Sequence, residues 1–209
     1  MKVVKQKVEF ITATPQIGDV IEYACRTCYK SHNLIKEGSA ERLFNQIVKQ
    51  HHHDSVTEHG SITVQITTDR AMLAQITRHR IGTSFSVESQ RYCNYSKDKF
   101  NNEVSFIRPY EIKEGSVEDL TWTTAMQEAE RHYFNLLKTA KPQTARAVLP
   151  NSTKVELTMT GNVRAWRHFF SLRADGHAQE DIQHLCKLIH DCFIENGIPA
   201  YLFDDVISK

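Results

Sequence analysis

Two segments far apart in the chain alternate apolar and polar residues with a period of two. Ile62, Val64 and Ile66 stand between Thr63, Gln65 and Thr67, and Val155, Leu157 and Met159 stand among Lys154, Glu156, Thr158 and Thr160. Each is the pattern of a strand with one buried face, because successive side chains of an extended chain point to opposite sides. A shorter alternation at Val8 and Phe10 predicts a further strand. The remaining periodicity is helical. Thr14 and Pro15 predict an N-cap and first turn leading into Ile17, Val20, Ile21 and Ala24. Ala40, Leu43, Phe44, Ile47 and Val48 share one helical face, with Glu41, Arg42, Asn45 and Lys49 opposite, and this helix should end near His51. Asp69 is placed to cap a short helix whose Met72, Leu73 and Ile76 face inward. Ser116 and Asp119 resemble a capping box opening a long helix to Lys138, with Trp122, Met126, Ala129, Tyr133 and Leu136 as its apolar stripe. A short helix starts at Pro142 and carries Arg146. Others run through Trp166, Phe169 and Phe170, and from Asp175 through Ile182, Leu185, Ile189 and Phe193. Residues 100–115 read as a loop. Strands and helices interspersed without serial βαβ units predict an α+β (mixed α/β) fold, one domain over residues 1–209.

At 209 residues the chain is long enough to bury a core without metal or disulfide staples, and its net charge of +1 argues against a general nucleic-acid binder. No apolar run approaches a membrane span, and the N-terminal sequence lacks the apolar segment of a signal peptide, so a cytoplasmic protein is expected. The five cysteines (Cys25, Cys28, Cys93, Cys186 and Cys192) form no framework pattern and are expected to be reduced.

The densest chemistry lies between Arg78 and Tyr92. The run Arg78-His79-Arg80-Ile81-Gly82-Thr83-Ser84-Phe85-Ser86-Val87-Glu88-Ser89-Gln90-Arg91-Tyr92 holds three arginines, a histidine, a carboxylate and four aliphatic hydroxyls. That is more polar recognition chemistry than a fold requires, and an anion is the expected guest. Gln75, Arg78 and His79 share a helical face at i, i+3 and i+4. No glycine-rich phosphate loop is present, so a nucleotide would be held by side chains. Arginine suits that task, since its planar fork pairs two phosphate oxygens at once. Arg146, Arg164, Arg167 and Arg173 add to the supply; any one of them alone reads more readily as a surface ion pair, and their grouping weakens that reading.

The Arg-His-Arg run followed by Ser89 and Arg91-Tyr92 resembles the signature of the flavin-dependent thymidylate synthases. The resemblance extends to His53-Asp54-Ser55-Val56-Thr57-Glu58-His59 upstream. Downstream it takes in Ala145 to Pro150, Asn162-Val163-Arg164, and Leu172 to Gln179. There are two departures. Eight residues separate Arg80 from Ser89, one more than the family motif has, which leaves Glu88 next to the serine. His168 stands where the family often has asparagine.

The resemblance implies a central, mostly antiparallel sheet flanked by helices, and reductive methylation of dUMP to dTMP without an enzyme nucleophile. It implies methylenetetrahydrofolate as carbon donor, FAD as the hydride carrier, NADPH as its reductant, and a homotetramer with shared sites. It assigns dUMP to Gln75, Arg78, Glu88, Ser89, Gln90, Arg91, Arg146 and Arg173, with Arg173 the catalytic group at the pyrimidine. It assigns FAD to Ser55, Arg78, His79, Arg80, Ile81, Glu88, Asn162, Val163, Arg164 and His168. Neither a nucleic acid nor a membrane is implied as a partner. A nucleotide- or flavin-binding regulator, or an enzyme acting on another pyrimidine nucleotide, is the alternative; a single-stranded nucleic-acid binder using Arg91, Tyr92, Tyr95 and Phe100 is weaker, given the charge.

Other readings of the same residues carry less. Ser89 lacks the G-x-S-x-G elbow and a recognisable histidine partner, which favours binding over nucleophilic attack. Cys93 lies beside Arg91 and Tyr92, yet an inert thiol is the commoner state. His51-His52-His53-Asp54 and Cys25-x-x-Cys28 could ligate zinc, but consecutive residues at a helix end diverge and no second ligand pair follows, so no metal is expected.

Overall fold

The computed structural model describes residues 1–207. In chain order the strands are β1 (Lys2–Val4), β2 (Lys7–Ala13), β3 (Ser61–Asp69), β4 (Thr83–Val87), β5 (Ser105–Ile107) and β6 (Lys154–Asn162). The helices are α1 (Ile17–Thr27), α2 (Ser39–Phe44), α3 (Arg70–Ile76), α4 (Val117–Leu137), α5 (Pro142–Ala145), α6 (Val163–Arg173), α7 (Glu180–Glu195) and α8 (Asp204–Ile207). Four strands form one sheet in the order β2-β3-β6-β4, and β1 pairs in parallel with β5 in a second. In the larger sheet the neighbours run antiparallel. Thr63 meets Thr160 and Gln65 meets Thr158, while Gly82 bonds Asn162 and Glu88 bonds Glu156, so numbers rise along one strand as they fall along the next. The fold is α+β.

The chain forms two compact units, each made of three segments: residues 1–7, 66–78 and 86–157 in the first, and 8–65, 79–85 and 158–207 in the second. In the first unit Tyr95, Val104, Phe106, Trp122, Met126, Tyr133 and Ala145 make the core. The long helix α4 supplies three of these at its predicted inward positions. Ser116 caps it, its Oγ accepting from the Asp119 amide at 3.1 Å. The return arm of a capping box is not made: the Ser116 amide bonds the Lys113 carbonyl, and the Asp119 carboxylate instead accepts from the Gly115 amide at 2.8 Å and pairs with Arg108.

In the second unit the alternation of β3 and β6 places Ile62, Val64 and Met159 in a core completed by α6 and α7. Trp166 anchors it. Its indole N–H donates to the Ile62 carbonyl at 3.2 Å and its ring meets Phe193 edge-on at 5.2 Å. Burying side chains of this size contributes roughly 1.5–3 kcal/mol each.

Several local expectations are corrected. Thr14 does not cap α1; its Oγ1 accepts from the Ser61 amide at 3.0 Å and its own amide bonds the Ser61 carbonyl, so sheet pairing takes the hydroxyl. Gln16, in the left-handed region at φ 50°, precedes the helix instead. The helix predicted over Ala40 to His51 breaks into α2 and a wider π-helical stretch over Asn45–Gln50. The loop expected over 100–115 contains β5, a three-residue strand too short to show a period.

Candidate functional site

The Arg-His-Arg run begins where α3 ends. Asp69 starts that helix, its Oδ1 accepting from the Met72 amide at 2.7 Å, and Thr77 closes it, leaving Arg78 exposed at its end. From here the motif divides. Residues up to Arg78 belong to the first unit, 79–85 to the second, and 86 onward to the first again.

In the second unit the three motif positions differ in exposure. Arg80 is exposed and Ile81 is 93 % exposed, whereas His79 is only 7 % exposed. The His79 ring lies 5.0 Å from Phe169 and 5.5 Å from His168, and its Nε2 accepts from the Arg173 Nε at 3.1 Å. Burial, then the charges of Arg173 and His168, push the imidazole down to about 4, so it is neutral at physiological pH.

Gly82 follows with φ +71°, and Asn162 sits across from it. Asn162 caps α6, its Oδ1 accepting from the Ala165 amide at 2.8 Å, and its own amide donates to the Gly82 carbonyl at 3.0 Å. Arg164, in the first turn, pairs with Glu58 at 2.6 Å. Val163 is fully buried and its amide bonds the Gly60 carbonyl, so its side chain belongs to the core.

Two cavities open around these residues within the second unit. One of about 640 Å³ is lined by Ile81, Gly82, Asn162, Arg164, His168 and Arg167, among others. The other, about 430 Å³, is lined by Ser55 on a short 3-10 turn with Arg26, Tyr29, His53 and Arg164. Exposed apolar Ile81 beside His168 and the first turn of α6 suits a flat ring system, while the arginines of this cavity, Arg164 and Arg167, are already paired with Glu58 and Asp205. Of the expected flavin positions, Ser55, Ile81, Asn162, Arg164 and His168 line these two cavities and His79 stands behind them, whereas Glu88 lines a separate cavity of the first unit with Tyr95 and Lys154.

The first unit carries Gln75, Arg78, Glu88, Ser89, Gln90, Arg91 and Arg146. Arg91 lies over the exposed Tyr92 ring at 5.4 Å, and the Ser89 carbonyl accepts from the amides of Tyr92 and Cys93 in a tight turn. Arg146 is exposed where α5 passes into a 3-10 turn. Among the described residues no carboxylate pairs with Arg78, Arg80, Arg91 or Arg146. By contrast Arg26, Arg108, Arg131, Arg164 and Arg167 each hold one.

Glu88 is committed within the first unit. Its Oε1 accepts from the Tyr95 hydroxyl at 2.9 Å, and its Oε2 meets Lys154 at 3.1 Å and the Glu156 amide at 3.3 Å. Burial and the Glu88 charge raise the Tyr95 hydroxyl well above its ordinary value. All five cysteines are free thiols, and burial followed by the Glu88 charge pushes Cys93 up. Among the described residues no group of three ligating side chains is set to hold a metal, and no helix is long and apolar enough to cross a membrane.

Sequence reasoning missed the contribution of Asp205 and Val206 to the larger cavity. Arg167 holds Asp205 through two bonds of 2.7 and 2.6 Å and donates to the Leu202 carbonyl. A four-residue helix carries no period that could have signalled it. Arg26 was also missed, although Glu22 lies at i−4 and pairs with it at 2.6 Å.

Residues 9–196 match the family model described as thymidylate synthase complementing protein, Thy1. A flavin-dependent thymidylate synthase of Mycolicibacterium gilvum is 31% identical over 196 residues, covering 85% of this chain and 76% of that relative. One from Mycobacterium avium is 30% identical over 178 residues, covering 79% and 71%. Among solved structures, thymidylate synthase X of Helicobacter pylori with FAD and dUMP superposes with TM-score 0.80 at 24% identity, covering 98% of this chain and 100% of that one. The UMP/dUMP methylase PolB of Streptomyces cacaoi bound with 5-Br dUMP gives 0.75 at 24%, covering 93% of each. At these identities the two structures speak to the fold, which is the α+β architecture found here.

Proposed function

The chain belongs to the Thy1 family of flavin-dependent thymidylate synthases, and from that premise we propose that it methylates dUMP to dTMP. In this reading methylenetetrahydrofolate gives the carbon, and bound FAD, reduced by NADPH, supplies the hydride. The observation that carries it is that Arg78, Arg80, Arg91 and Arg146, all within the family-like blocks, are exposed and hold no carboxylate among the described residues, a state that Arg42 shares outside those blocks, whereas Arg26, Arg108, Arg131, Arg164 and Arg167 are paired. Unpaired guanidinium forks at motif positions suit phosphate oxygens better than a structural role does.

The nucleotide phosphate is assigned to Arg91 and Arg146, with Gln75, Arg78 and the Ser89–Gln90 turn beside them. Arg173 is assigned to the pyrimidine. Its fixed positive charge stabilises the negative charge that develops as the imide loses its proton, which raises the nucleophilicity of the ring carbon. Neither Ser89 nor Cys93 attacks. The Cys93 thiol, raised by burial, is a poor source of thiolate. Arg164, Asn162, Ile81, His168 and Ser55 hold the flavin, with Arg80 reaching its phosphates. Glu88 acts by bracing β4 through Lys154 and Tyr95. The active form is a cytoplasmic homotetramer in which different subunits complete each site.

The test is dTMP formation by the purified, FAD-loaded protein from dUMP, methylenetetrahydrofolate and NADPH under anaerobic conditions, with UMP run in parallel. Product from dUMP that depends on the folate supports the reading. Flavin binding without turnover favours a regulator, and preference for UMP favours the related methylase chemistry.

A further inference from the structure

The middle residue of the Arg-His-Arg run behaves unlike its neighbours. Arg78 and Arg80 are exposed, whereas the His79 ring is shut inside the second unit against Phe169 and His168. Phe169 and Arg173 stand at i and i+4 on α6, one above the other on the same helical face. His79 touches both. Its carbonyl is held as well, accepting from the Thr83 hydroxyl, so backbone and ring are both fixed.

The bond between His79 and Arg173 has only one possible polarity. An arginine Nε always carries a proton, so the His79 Nε2 facing it at 3.1 Å is the acceptor and the ring proton sits on Nδ1. A protonated imidazole would set N–H against N–H beside a cation. Because the guanidinium is planar, holding its Nε–H in line with a fixed ring sets the directions of both Nη groups.

We infer that His79 is a positioning residue whose neutral imidazole aims the Arg173 guanidinium at the pyrimidine, and that it does not itself contact the flavin. This rests on the assignment of Arg173 to the pyrimidine in the proposed function. A misaimed guanidinium weakens an interaction that matters most once the imide is anionic. The loss therefore falls on kcat more than on KM or on flavin affinity.

Two variants and one spectroscopic measurement test this on the full-length, FAD-loaded protein. His79→Leu keeps bulk but removes the acceptor, and His79→Gln returns an amide oxygen near the place of Nε2. His79→Leu is expected to lower kcat for dUMP by roughly tenfold or more, with flavin affinity unchanged and the kcat profile displaced to higher pH. His79→Gln should recover most of the rate.

Nitrogen-15 NMR of labelled histidine should show His79 neutral with the proton on Nδ1, and its Nε2 signal should move in Arg173→Ala. Wild-type kcat in His79→Leu, flavin affinity lost in step with kcat, no recovery in His79→Gln, or a proton on Nε2 would each overturn the inference. Wild-type turnover by Arg173→Ala would remove the pyrimidine assignment and the inference with it. Because the NMR signature would survive that result, the two failures can be told apart.

Discussion

Gly82 and Asn162 approach so closely that a Cβ added to the glycine would lie 2.8 Å from the asparagine Nδ2 and 2.9 Å from its Oδ1. The glycine also adopts φ +71°, a conformation that costs an L-residue energy. Gly82→Ala is thus strained by its own backbone and displaces the side chain that caps α6. The expected loss is on the order of 2–3 kcal/mol, combining a strained backbone with a weakened cap. Urea denaturation measures it, and flavin affinity should fall in the same variant because Asn162 and Ile81 line the same cavity.

His79 makes stability depend on pH. Its folded value is lowered from 6.5 to about 4, chiefly by burial, then by Arg173 and His168. Below pH 6.5 the unfolded chain takes up a proton that the folded chain refuses. The contribution is therefore complete above 6.5, is lost as pH falls towards about 4, and is level below that. Its full size is on the order of 3 kcal/mol. Denaturation midpoints measured across this window should decline in the wild type and flatten in His79→Gln. A flat wild-type profile would mean that the ring is not buried as described.

Much of this was legible in the chain, and the failures have physical causes. The strands over residues 61–69 and 154–162 follow the alternation because one face of each is buried against a core. The caps at Asp69 and Ser116 follow from local side-chain chemistry. Strand β4 does alternate, with Phe85 and Val87 half-buried between exposed Ser84 and Ser86, but two apolar residues inside a polar run are too few to mark a strand, and backbone bonds flanking it tie it to β6. At the site, sequence named the Arg-His-Arg run but could not separate its members. The burial of His79 comes from α6, more than eighty residues further along the chain.

Glu88 and Lys154 join β4 to β6 through a pair that is nearly buried, with side-chain exposures of 10% and 15%. Burial works against the Lys154 charge, but the bond to Glu156 and the charge of Glu88 outweigh it and raise its value. Glu88→Gln removes the anion while keeping the shape, leaving Lys154 with Glu156 alone and Tyr95 with a weaker acceptor. A loss of about 1–2 kcal/mol is expected. A double-mutant cycle with Lys154→Met should return a coupling of at least about 0.5 kcal/mol. If Glu88 only braces the strand, dUMP KM in Glu88→Gln stays near wild type after correction for the folded fraction.

Arg173 and Cys93 offer opposite expectations for the chemical step. Cys93 is half-buried at the turn closed by Ser89, and burial with the Glu88 charge keeps its thiol protonated. Attack through sulfur would need a thiolate that this environment disfavours. Cys93→Ala should therefore keep kcat within about twofold of wild type. Arg173→Ala removes the one fixed cation assigned to the ionising imide and should lower kcat by roughly 100-fold or more, comparable to deleting a donor that stabilises developing charge. Steady-state dTMP formation, read beside the flavin spectrum to verify cofactor loading, decides it. An inactive Cys93→Ala with a fully active Arg173→Ala would transfer the reaction to a thiol nucleophile and reject activation of the pyrimidine by charge.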